Sequence, residues 1–337
     1  MSDKVTLAIV GATGLVGETL RAILAERDPA RYELFFVASE RSAGDVIDFA
    51  GKPYAVQSLE DFDFSQVAYA IFAVENELSE KYAPKAVKAG CTVIDNSSAF
   101  RYDDDVPLIV PEVNGDLLGA VKKPLIIANP NCSTVQMVMV LKPIDDAVGI
   151  EKVNVATYQS VSGAGKEALE ELVKETSYLL NGRSYDRKVF TKQIAFNCIP
   201  HIDRFEENGY TREEMKLVWE TQKILGRSDL NVNPTAVRVP VFYGHAEAVH
   251  LELKKPLTVA KAEKLLKAMP GVSVMNARKD GTYPTQVGDA SGNDNVFVGR
   301  IRKDISSKKG LNLWIVSDNL RKGAALNALQ ILDGLVE

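Results

Sequence analysis

The chain has 337 residues, 46% of them hydrophobic and 25% charged, with a formal net charge of −5. This is a globular composition, and the length predicts two domains rather than a single core. The acidic balance, with no basic tail and no apolar run long enough to span a bilayer, disfavours nucleic acid and membranes as partners.

The first 130 or so residues alternate between short apolar runs and helical patterns. Predicted strands cover residues 5–10, 33–38, 67–74, 92–95 and 125–128. Helical patterns run from the first glycine-rich turn to about residue 26 and over residues 79–89. Continuous apolar strands separated by helices indicate an α/β domain with a doubly wound parallel sheet of the Rossmann-like kind.

Three glycines follow the first predicted strand directly. Gly11, Gly14 and Gly17 form a G-x-x-G-x-x-G pattern that opens the first helix. Glycines allow a tight turn and let a pyrophosphate approach a helix N-terminus closely. The pattern therefore predicts nucleotide binding, with a merely structural turn as the alternative.

The end of the second predicted strand bears on which nucleotide binds. It continues as Ser39, Glu40, Arg41 and Ser42. An acidic residue here suits the ribose hydroxyl of NAD, whereas an arginine flanked by serines suits the 2′-phosphate of NADP. We favour NADP, while Glu40 leaves NAD open and a solvated loop remains the alternative.

The pattern changes after residue 132. Predicted strands over residues 152–160, 231–241, 248–253 and 295–302 alternate in polarity, and a charged amphipathic helix covers 166–180. Alternation predicts a mostly antiparallel or mixed sheet in an α+β domain over residues 132–319. The apolar helical tail, 320–337, is expected to complete the first domain of residues 1–131.

Cys132 is the most informative single residue. It lies in the segment NPNCST, between an apolar run at 124–128 and a helical pattern at 135–141. A helix N-terminus favours a thiolate, which is a strong nucleophile near neutral pH. The alternative is a small buried residue that packs a turn. Three separated cysteines and three histidines without ligand spacing predict neither disulfides nor a metal site, and a reducing, cytoplasmic location is expected.

A second set of polar residues is scattered along the chain. His245 follows a glycine and suits proton transfer, and Arg238 suits a carboxylate. Arg101 follows a strand end, where ligands of parallel sheets bind. Glu213 and Lys216 are one helical turn apart, which also fits a surface ion pair. Gln159, at a strand end, carries no signal by itself.

Taken in order, the motifs GATGLVG, ASERSAG, NPNCST, YQSVSGAG, EEMK and RVPVFYGH resemble those of the aspartate-β-semialdehyde dehydrogenase family in its bacterial form. The resemblance extends over essentially the whole chain. It implies Cys132 as nucleophile, His245 as acid/base and Gln159 as the group that orients the acyl intermediate. It implies substrate binding by Arg238, Glu213, Arg101, Lys216 and Asn131, with Arg101 and Lys216 as the phosphate pair. It implies NADP binding by Gly11, Thr13, Gly14, Val16, Ser39, Arg41, Ser42, Ser162, Gly163 and Asn319.

The resemblance also implies a reaction and an assembly. The family catalyses the reductive dephosphorylation of β-aspartyl phosphate to aspartate β-semialdehyde with NADPH, through a cysteine thioester, in the biosynthesis of lysine (by way of diaminopimelate), threonine and methionine. A homodimer is expected. Glu75 and Asn76 occupy a loop where the family usually has glycine, so the preference between NADP and NAD stays open. The alternatives are a related reductase, such as N-acetyl-glutamyl-phosphate reductase or glyceraldehyde-phosphate dehydrogenase, and a catalytically impaired paralogue that acts as a partner protein.

Overall fold

The computed structural model describes residues 4–336. The strands are β1 Val5–Val10, β2 Tyr32–Ala38, β3 Val46–Phe49, β4 Lys52–Ala55, β5 Gln57–Ser58, β6 Tyr69–Phe72, β7 Thr92–Asp95, β8 Ile126–Ala128, β9 Ile150–Gln159, β10 Asn231–Arg238, β11 His245–Leu253, β12 Val272–Met275, β13 Val296–Lys303 and β14 Gly310–Ser317. The α-helices are α1 Leu15–Glu26, α2 Asn76–Lys88, α3 Pro111–Asn114, α4 Cys132–Val148, α5 Lys166–Leu180, α6 Arg212–Leu225, α7 Val259–Ala268 and α8 Leu326–Val336. No helix within the described range is both long and apolar enough to cross a membrane.

The chain forms two compact units. The first comprises the residues up to Asn131 together with those from Ala324 onward, and the second comprises Cys132–Gly323. The sequence predicts these transitions at 131/132 and 319/320, so the second one lies four residues later in the structure. The C-terminal stretch after Gly323 therefore folds with the N-terminal region.

The first unit is built on a six-stranded sheet in the order β5-β2-β1-β6-β7-β8. Every strand pair in it is parallel, which confirms the predicted doubly wound form. β1 is central, and its successive residues are buried on opposite faces. Leu7 and Ile9 pack in a cluster with α8, whereas Ala8 and Val10 pack in a cluster with residues of α2. Helices therefore cover both faces, as a parallel sheet requires.

The second unit has a six-stranded mixed sheet in the order β10-β9-β11-β14-β13-β12. The pairs β10–β9 and β12–β13 are parallel, and the others are antiparallel. Helix α4 packs on β9, β11 and β14 and on helices α6 and α7. The buried and less buried residues alternate along β9 and β11, so one face of these strands contacts the helices. The predicted mixed sheet is confirmed.

Three helices begin at residues other than those predicted from the sequence. Helix α4 begins at Cys132 itself, not at residue 135, and α2 begins at Asn76 rather than 79. The final α-helix begins at Leu326, after a π-helical turn at Arg321–Ala325. In α4 and α2, polar residues of the first turn interrupt the apolar periodicity, although their backbone is already helical.

Candidate active site

Cys132 is the first residue of α4, which confirms its predicted place at a helix N-terminus. It is partly exposed, in contrast to the buried Cys91. The N-terminal end of a 17-residue helix carries partial positive charge, which favours a thiolate there. Gly323 lies against it, since an added Cβ at this glycine would be 2.8 Å from the Cβ of Cys132. Only a residue without a side chain fits at that contact.

His245 is the first residue of β11 rather than part of the preceding turn, and it is fully buried. It pairs in register with Gln159 of β9. The backbone N–H of Ser160 donates to His245 Nδ1 at 3.1 Å. Because Nδ1 accepts this bond, the neutral ring carries its proton on Nε2.

The electrostatic surroundings keep this ring neutral. Burial, followed by the positive charge of Arg238, lowers the pKa of His245 to about 3. Among the described residues, Nε2 is buried and has no hydrogen-bond partner. Gly163 leaves room there, since an added Cβ would be 3.3 Å from Nε2 and 2.9 Å from Nη1 of Arg238. The Nε2–H of His245, a hydrogen-bond donor, therefore lies beside Gly163, which has no side chain to block it.

Arg238 ends β10 and is buried with its guanidinium donating from Nη1 to the carbonyl oxygen of Ser160 at 2.8 Å. Burial lowers the pKa of Arg238, while the charges of Glu213 and Cys132 act in the opposite direction. Arginine stays protonated in proteins under ordinary conditions. A buried, charged guanidinium in this position can bind a carboxylate.

Glu213 and Lys216 form a buried ion pair, not the surface pair considered as the alternative. The Glu213 side chain is 6% exposed, and its Oε2 lies 3.1 Å from Lys216 Nζ. Gln159 Nε2 donates to the other carboxylate oxygen at 3.0 Å. Helix α6 begins with a capping box of Thr211 and Glu214, which fixes the first turn that carries Glu213.

Asn319 is the centre of a buried hydrogen-bond cluster. Its Oδ1 accepts from the hydroxyls of Ser160 and Ser162, both at 3.1 Å, and from the Gly244 N–H at 2.9 Å. This cluster holds two neighbours of His245 in place, because Gly244 precedes it and Ser160 donates to its ring. Three of the residues implied for cofactor binding, Ser162, Gly163 and Asn319, therefore lie beside His245 in the second unit.

A cavity of about 370 Å³ opens next to Arg238. Its lining includes Ala164, Phe190, Ile199, His201, Asp203 and Arg204. Cationic, carboxylate and apolar groups thus meet in a space of the size that holds a small metabolite.

The glycine turn of the first unit has the predicted form. Gly11 has φ +88°, and an added Cβ there would overlap the Ala73 carbonyl. At Gly14 an added Cβ would meet only the Gly11 carbonyl oxygen, at 3.5 Å. Helix α1 begins at the next residue, so backbone N–H groups at its start are approachable by an anion. Thr13 and Val16 lie in and just after this turn, and the residues present fit a dinucleotide pyrophosphate.

Ser39, Arg41 and Ser42 lie at the carboxyl end of β2, beside the end of β1 that carries the glycine turn. Glu40–Ser42 form a short 3-10 turn, with the Ser42 N–H donating to the Ser39 carbonyl at 2.9 Å. Arg41 is exposed. The turn places a guanidinium and two hydroxyls at the edge where nucleotides bind parallel sheets.

The loop without glycine after β6 is unstrained. Glu75 has φ −68°, a value open to any residue. Asn76 is tied to the segment after β7, since its Nδ2 donates to Ser98 Oγ at 2.9 Å and its Oδ1 accepts from Ser98 N at 3.0 Å. Glu75 therefore fits in this loop without requiring a rare backbone conformation.

Arg101 and Asn131 both lie in the first unit and are buried. Arg101 Nη2 donates to the carbonyl oxygen of Asn96 at 2.7 Å, so its guanidinium is held against the segment that follows β7. Asn131 immediately precedes Cys132. Of the two residues expected to bind phosphate, Arg101 lies in the first unit and Lys216 in the second.

Sequence reasoning missed three residues near these groups. Ser160 bonds the imidazole and directly follows Gln159 in the YQSVSGAG motif, so adjacency was the available signal. Asp203 pairs with Lys216 at 2.8 Å, although nothing in its loop marks it. Glu247, two residues after His245, is fully buried, and burial raises its pKa well above the ordinary value despite an opposing interaction with Gln136. Among the described residues, no group of three or more His, Cys, Asp or Glu side chains is arranged to hold a metal ion.

The chain is similar to known proteins over nearly its whole length. A family model described as "Semialdehyde dehydrogenase, NAD binding domain" matches residues 6–120, and one described as "Semialdehyde dehydrogenase, dimerisation domain" matches residues 141–322. The chain is 57% identical to an aspartate-semialdehyde dehydrogenase of Legionella pneumophila, with 99% of this chain and 96% of that protein covered. It is 55% identical to aspartate-semialdehyde dehydrogenase 2 of Vibrio cholerae, with 100% and 99% covered.

A solved structure shows the same similarity in three dimensions. Aspartate semialdehyde dehydrogenase II of Vibrio cholerae, complexed with ASA, superposes with a TM-score of 0.96 at 55% identity. The superposition covers 99% of each chain. The fold is therefore shared over the full length of both proteins.

Proposed function

Since the chain belongs to the aspartate-semialdehyde dehydrogenase family, and is therefore an oxidoreductase that uses a nicotinamide cofactor, we propose that it catalyses the NADPH-dependent reductive dephosphorylation of β-aspartyl phosphate to aspartate β-semialdehyde. The observation that carries the proposal is the constellation in the second unit: a cysteine at a helix N-terminus, a buried neutral histidine and a buried arginine paired electrostatically with a glutamate.

Arg238 and Glu213 bind the amino-acid end of the substrate. A guanidinium binds a carboxylate with two parallel hydrogen bonds, and a carboxylate binds an ammonium group. Both side chains are buried, so these pairs form away from bulk water and are strengthened by the lower effective dielectric constant. This arrangement selects an α-amino acid over an N-acylated one, because acylation removes the ammonium charge.

Cys132 attacks the acyl phosphate as a thiolate. The Sγ–carbonyl bond forms, the carbonyl–phosphate oxygen bond breaks, and phosphate leaves with the bonding electrons. Lys216 and Arg101 are assigned to the phosphate group, whose charge they would balance. Gln159, fixed by Glu213, orients the resulting thioester.

His245 serves the oxygen of that thioester. When bound, the nicotinamide cofactor supplies a hydride to the acyl carbon, and negative charge then develops on the oxygen. The Nε2–H of His245 donates a hydrogen bond to this oxygen and stabilises its negative charge without giving up the proton. Re-formation of the carbonyl then breaks the C–S bond, returns Cys132 as a thiolate and releases the aldehyde. In the oxidative direction the same hydrogen bond stabilises the oxyanion that forms when the thiolate adds to the aldehyde. Preorganised donors of this kind act without reorganisation during the reaction.

Gly11, Thr13, Gly14 and Val16 would hold the pyrophosphate, and Ser39, Arg41 and Ser42 the 2′-phosphate of NADP. Ser162, Gly163 and Asn319 would bind near the nicotinamide. NADP is favoured over NAD because Arg41 is exposed at the nucleotide edge of the sheet, with Ser39 before it and Ser42 after it. The second unit carries the dimerisation domain, and we propose a homodimer; static light scattering would measure its mass. A reduced, ionised Cys132 requires reducing conditions, which fits a cytoplasmic location.

The experiment that tests the proposal is a spectrophotometric assay of the reverse reaction. Purified protein is given aspartate β-semialdehyde, phosphate and either NADP⁺ or NAD⁺, and NADPH or NADH formation is followed. We expect phosphate-dependent reduction, faster with NADP⁺. Higher rates with N-acetyl-glutamate semialdehyde would favour N-acetyl-glutamyl-phosphate reductase instead.

The assay also tests the impaired-paralogue alternative. Cys198 is an exposed thiol, so Cys198→Ser protein is used for alkylation. Iodoacetamide modification of Cys132 is expected to stop turnover in proportion to the modified fraction. A protein with no activity before alkylation, tested under reducing conditions with all substrates, would support the paralogue.

A further inference from the structure

Lys216, the group assigned to phosphate, is already paired with two carboxylates of its own unit. Its Nζ lies 2.8 Å from Asp203 Oδ2 and 3.1 Å from Glu213 Oε2. The two carboxylates differ in how they are held. The Glu213 side chain is 6% exposed and is bound by Gln159, whereas the Asp203 side chain is 36% exposed. Asp203 is therefore the partner that can be displaced.

Asp203 is aimed at Lys216 by its backbone. It has φ +67°, in the left-handed region that few residues except glycine, Asn and Asp adopt. Its Oδ1 accepts from the Arg204 N–H at 2.8 Å, which leaves Oδ2 toward Lys216. Asp203 also lines the cavity of about 370 Å³ that Arg238 borders. The carboxylate thus stands in the space where an anionic substrate is expected.

The net charge of the groups around this cavity depends on whether Asp203 is present there. Lys216, Arg238 and Arg204 contribute three positive charges, and Glu213 and Asp203 contribute two negative charges. The Arg204 side chain is 71% exposed, so water and salt screen its charge most strongly. Burial acts to raise the pKa of Asp203, but its hydrogen bond and charge interaction with Lys216 outweigh this and lower the pKa overall, so Asp203 is ionised at neutral pH. Movement of Asp203 away from Lys216 therefore raises the net positive charge around a bound phosphate group by one unit.

We propose that Asp203 is an internal competitor of phosphate: its carboxylate pairs with Lys216 in the empty site, gives way when the phosphate group binds, and returns to Lys216 as phosphate leaves. This inference rests on the proposed function, which assigns Lys216 to phosphate. Asp203 thereby weakens phosphate binding and promotes release of phosphate after the thioester has formed. No covalent bond is made or broken in this exchange, because one anion replaces another on the same ammonium group.

The test is the KM for phosphate in the oxidative direction. Asp203→Asn keeps the shape and tolerates a left-handed φ but removes the charge. We expect its phosphate KM to fall about three- to tenfold, as for the loss of one partly exposed competing ion pair. The KM for the aldehyde should change less, since Arg238 and Glu213 are retained. A merely structural role would not lower the phosphate KM.

Glu207→Gln is the matched control. Glu207 is exposed in the same loop, and its substitution changes the net charge by the same amount without removing the partner of Lys216. It should leave the phosphate KM within about twofold. If Asp203→Asn does not fold, Asp203→Gly also suits the positive φ and should show the same fall.

Each outcome separates this inference from the function on which it rests. An unchanged or raised phosphate KM in both Asp203 variants would overturn the inference and make Asp203 a residue that positions Lys216. A wild-type protein without phosphate-dependent turnover would overturn the proposed function itself. In a Lys216→Met background, the Asp203 substitution should no longer lower the phosphate KM, and a persistent fall would place the competition elsewhere.

Discussion

The two units of this protein prepare their ligand sites with different parts of the chain. The first presents backbone: glycines at 11, 14 and 17, a helix N-terminus and a short turn at a sheet edge. The second presents buried side chains from separate elements, with His245, Gln159 and Arg238 at strand ends and Glu213 on α6. A backbone site depends on local conformation, whereas a side-chain site depends on long-range packing. Substitutions in the first unit should therefore impair ligand binding through local backbone conformation, and those in the second through side-chain packing.

The largest effect is expected from the nucleophile. Cys132→Ser should lower phosphate-dependent turnover by about 10⁴-fold or more, because a serine hydroxyl is not ionised near neutral pH. NADP⁺ binding, measured by fluorescence titration, should stay within about twofold, because the glycine turn lies in the first unit.

Cys91→Ser is the matched control. Cys91 is buried next to β7, and burial raises the pKa of its thiol to about 12, so it is not a nucleophile. Its substitution should leave kcat nearly unchanged. A Cys132→Ser protein that has also lost NADP⁺ binding would show that the functions of the two units are not separable.

A smaller effect is expected at Gly163. An added Cβ would be 2.9 Å from Arg238 Nη1 and 3.3 Å from His245 Nε2, so both groups must shift. Because small displacements of positioned groups are costly, Gly163→Ala should lower kcat/KM about 100-fold. Gly119→Ala, where an added Cβ meets nothing within 4 Å, is the control. Equal activities of the two variants would contradict the described packing around His245.

Gly11 tests the backbone site in the first unit. Gly11→Ala places a Cβ on a residue with φ +88° and against the Ala73 carbonyl. We expect at least a tenfold loss of NADP⁺ affinity, since the turn must open to relieve the overlap. In the same protein, alkylation of Cys132 by iodoacetamide should proceed at the wild-type rate. Loss of Cys132 reactivity together with cofactor binding would mean that the local turn supports both units.

A further expected effect is a pH dependence of stability rather than of activity. The pKa of His245 is lowered from an ordinary 6.5 to about 3 in the folded protein. Between these values the unfolded chain binds more protons at this residue, so the free energy of unfolding falls as pH falls, by up to about 1.4 kcal/mol per pH unit. The contribution is fully present above pH 6.5.

Chemical denaturation of wild-type and His245→Gln proteins between pH 4 and 7 measures this slope. The variant should lose less stability on acidification. The comparison is needed because Glu247, whose pKa is raised, acts with the opposite sign. Parallel curves for the two proteins would show that His245 is not held neutral by burial.

The sequence predicted the local, backbone-based features of these sites better than the contacts between side chains that are distant in sequence. The glycine turn, the parallel strands and the cysteine at a helix start are local patterns, and each was found at or within a few residues of its predicted position. Arg238 and His245 were singled out by residue type and local context, and the family resemblance added their roles, since residues far apart in sequence carry no spacing signal.

Other contacts had no signal at all. Asp203 lies in an irregular loop, and only the folded chain shows that it meets Lys216 on α6. The burial of Glu213 was likewise invisible, because a charged residue in the first turn of a helix usually faces solvent. Periodicity predicts elements, but the contacts between elements that set charge and burial require the tertiary structure.

The most direct measurement of the central claim is a rapid-mixing experiment without phosphate or arsenate. Enzyme, aspartate β-semialdehyde and NADP⁺ should give a burst of about one NADPH per active site, because the acyl group stays on the enzyme until phosphate removes it. Mass spectrometry of the quenched protein should find the acyl group on Cys132. The absence of a burst under conditions where added phosphate restores steady turnover, or an acyl group on another residue, would contradict a thioester at Cys132.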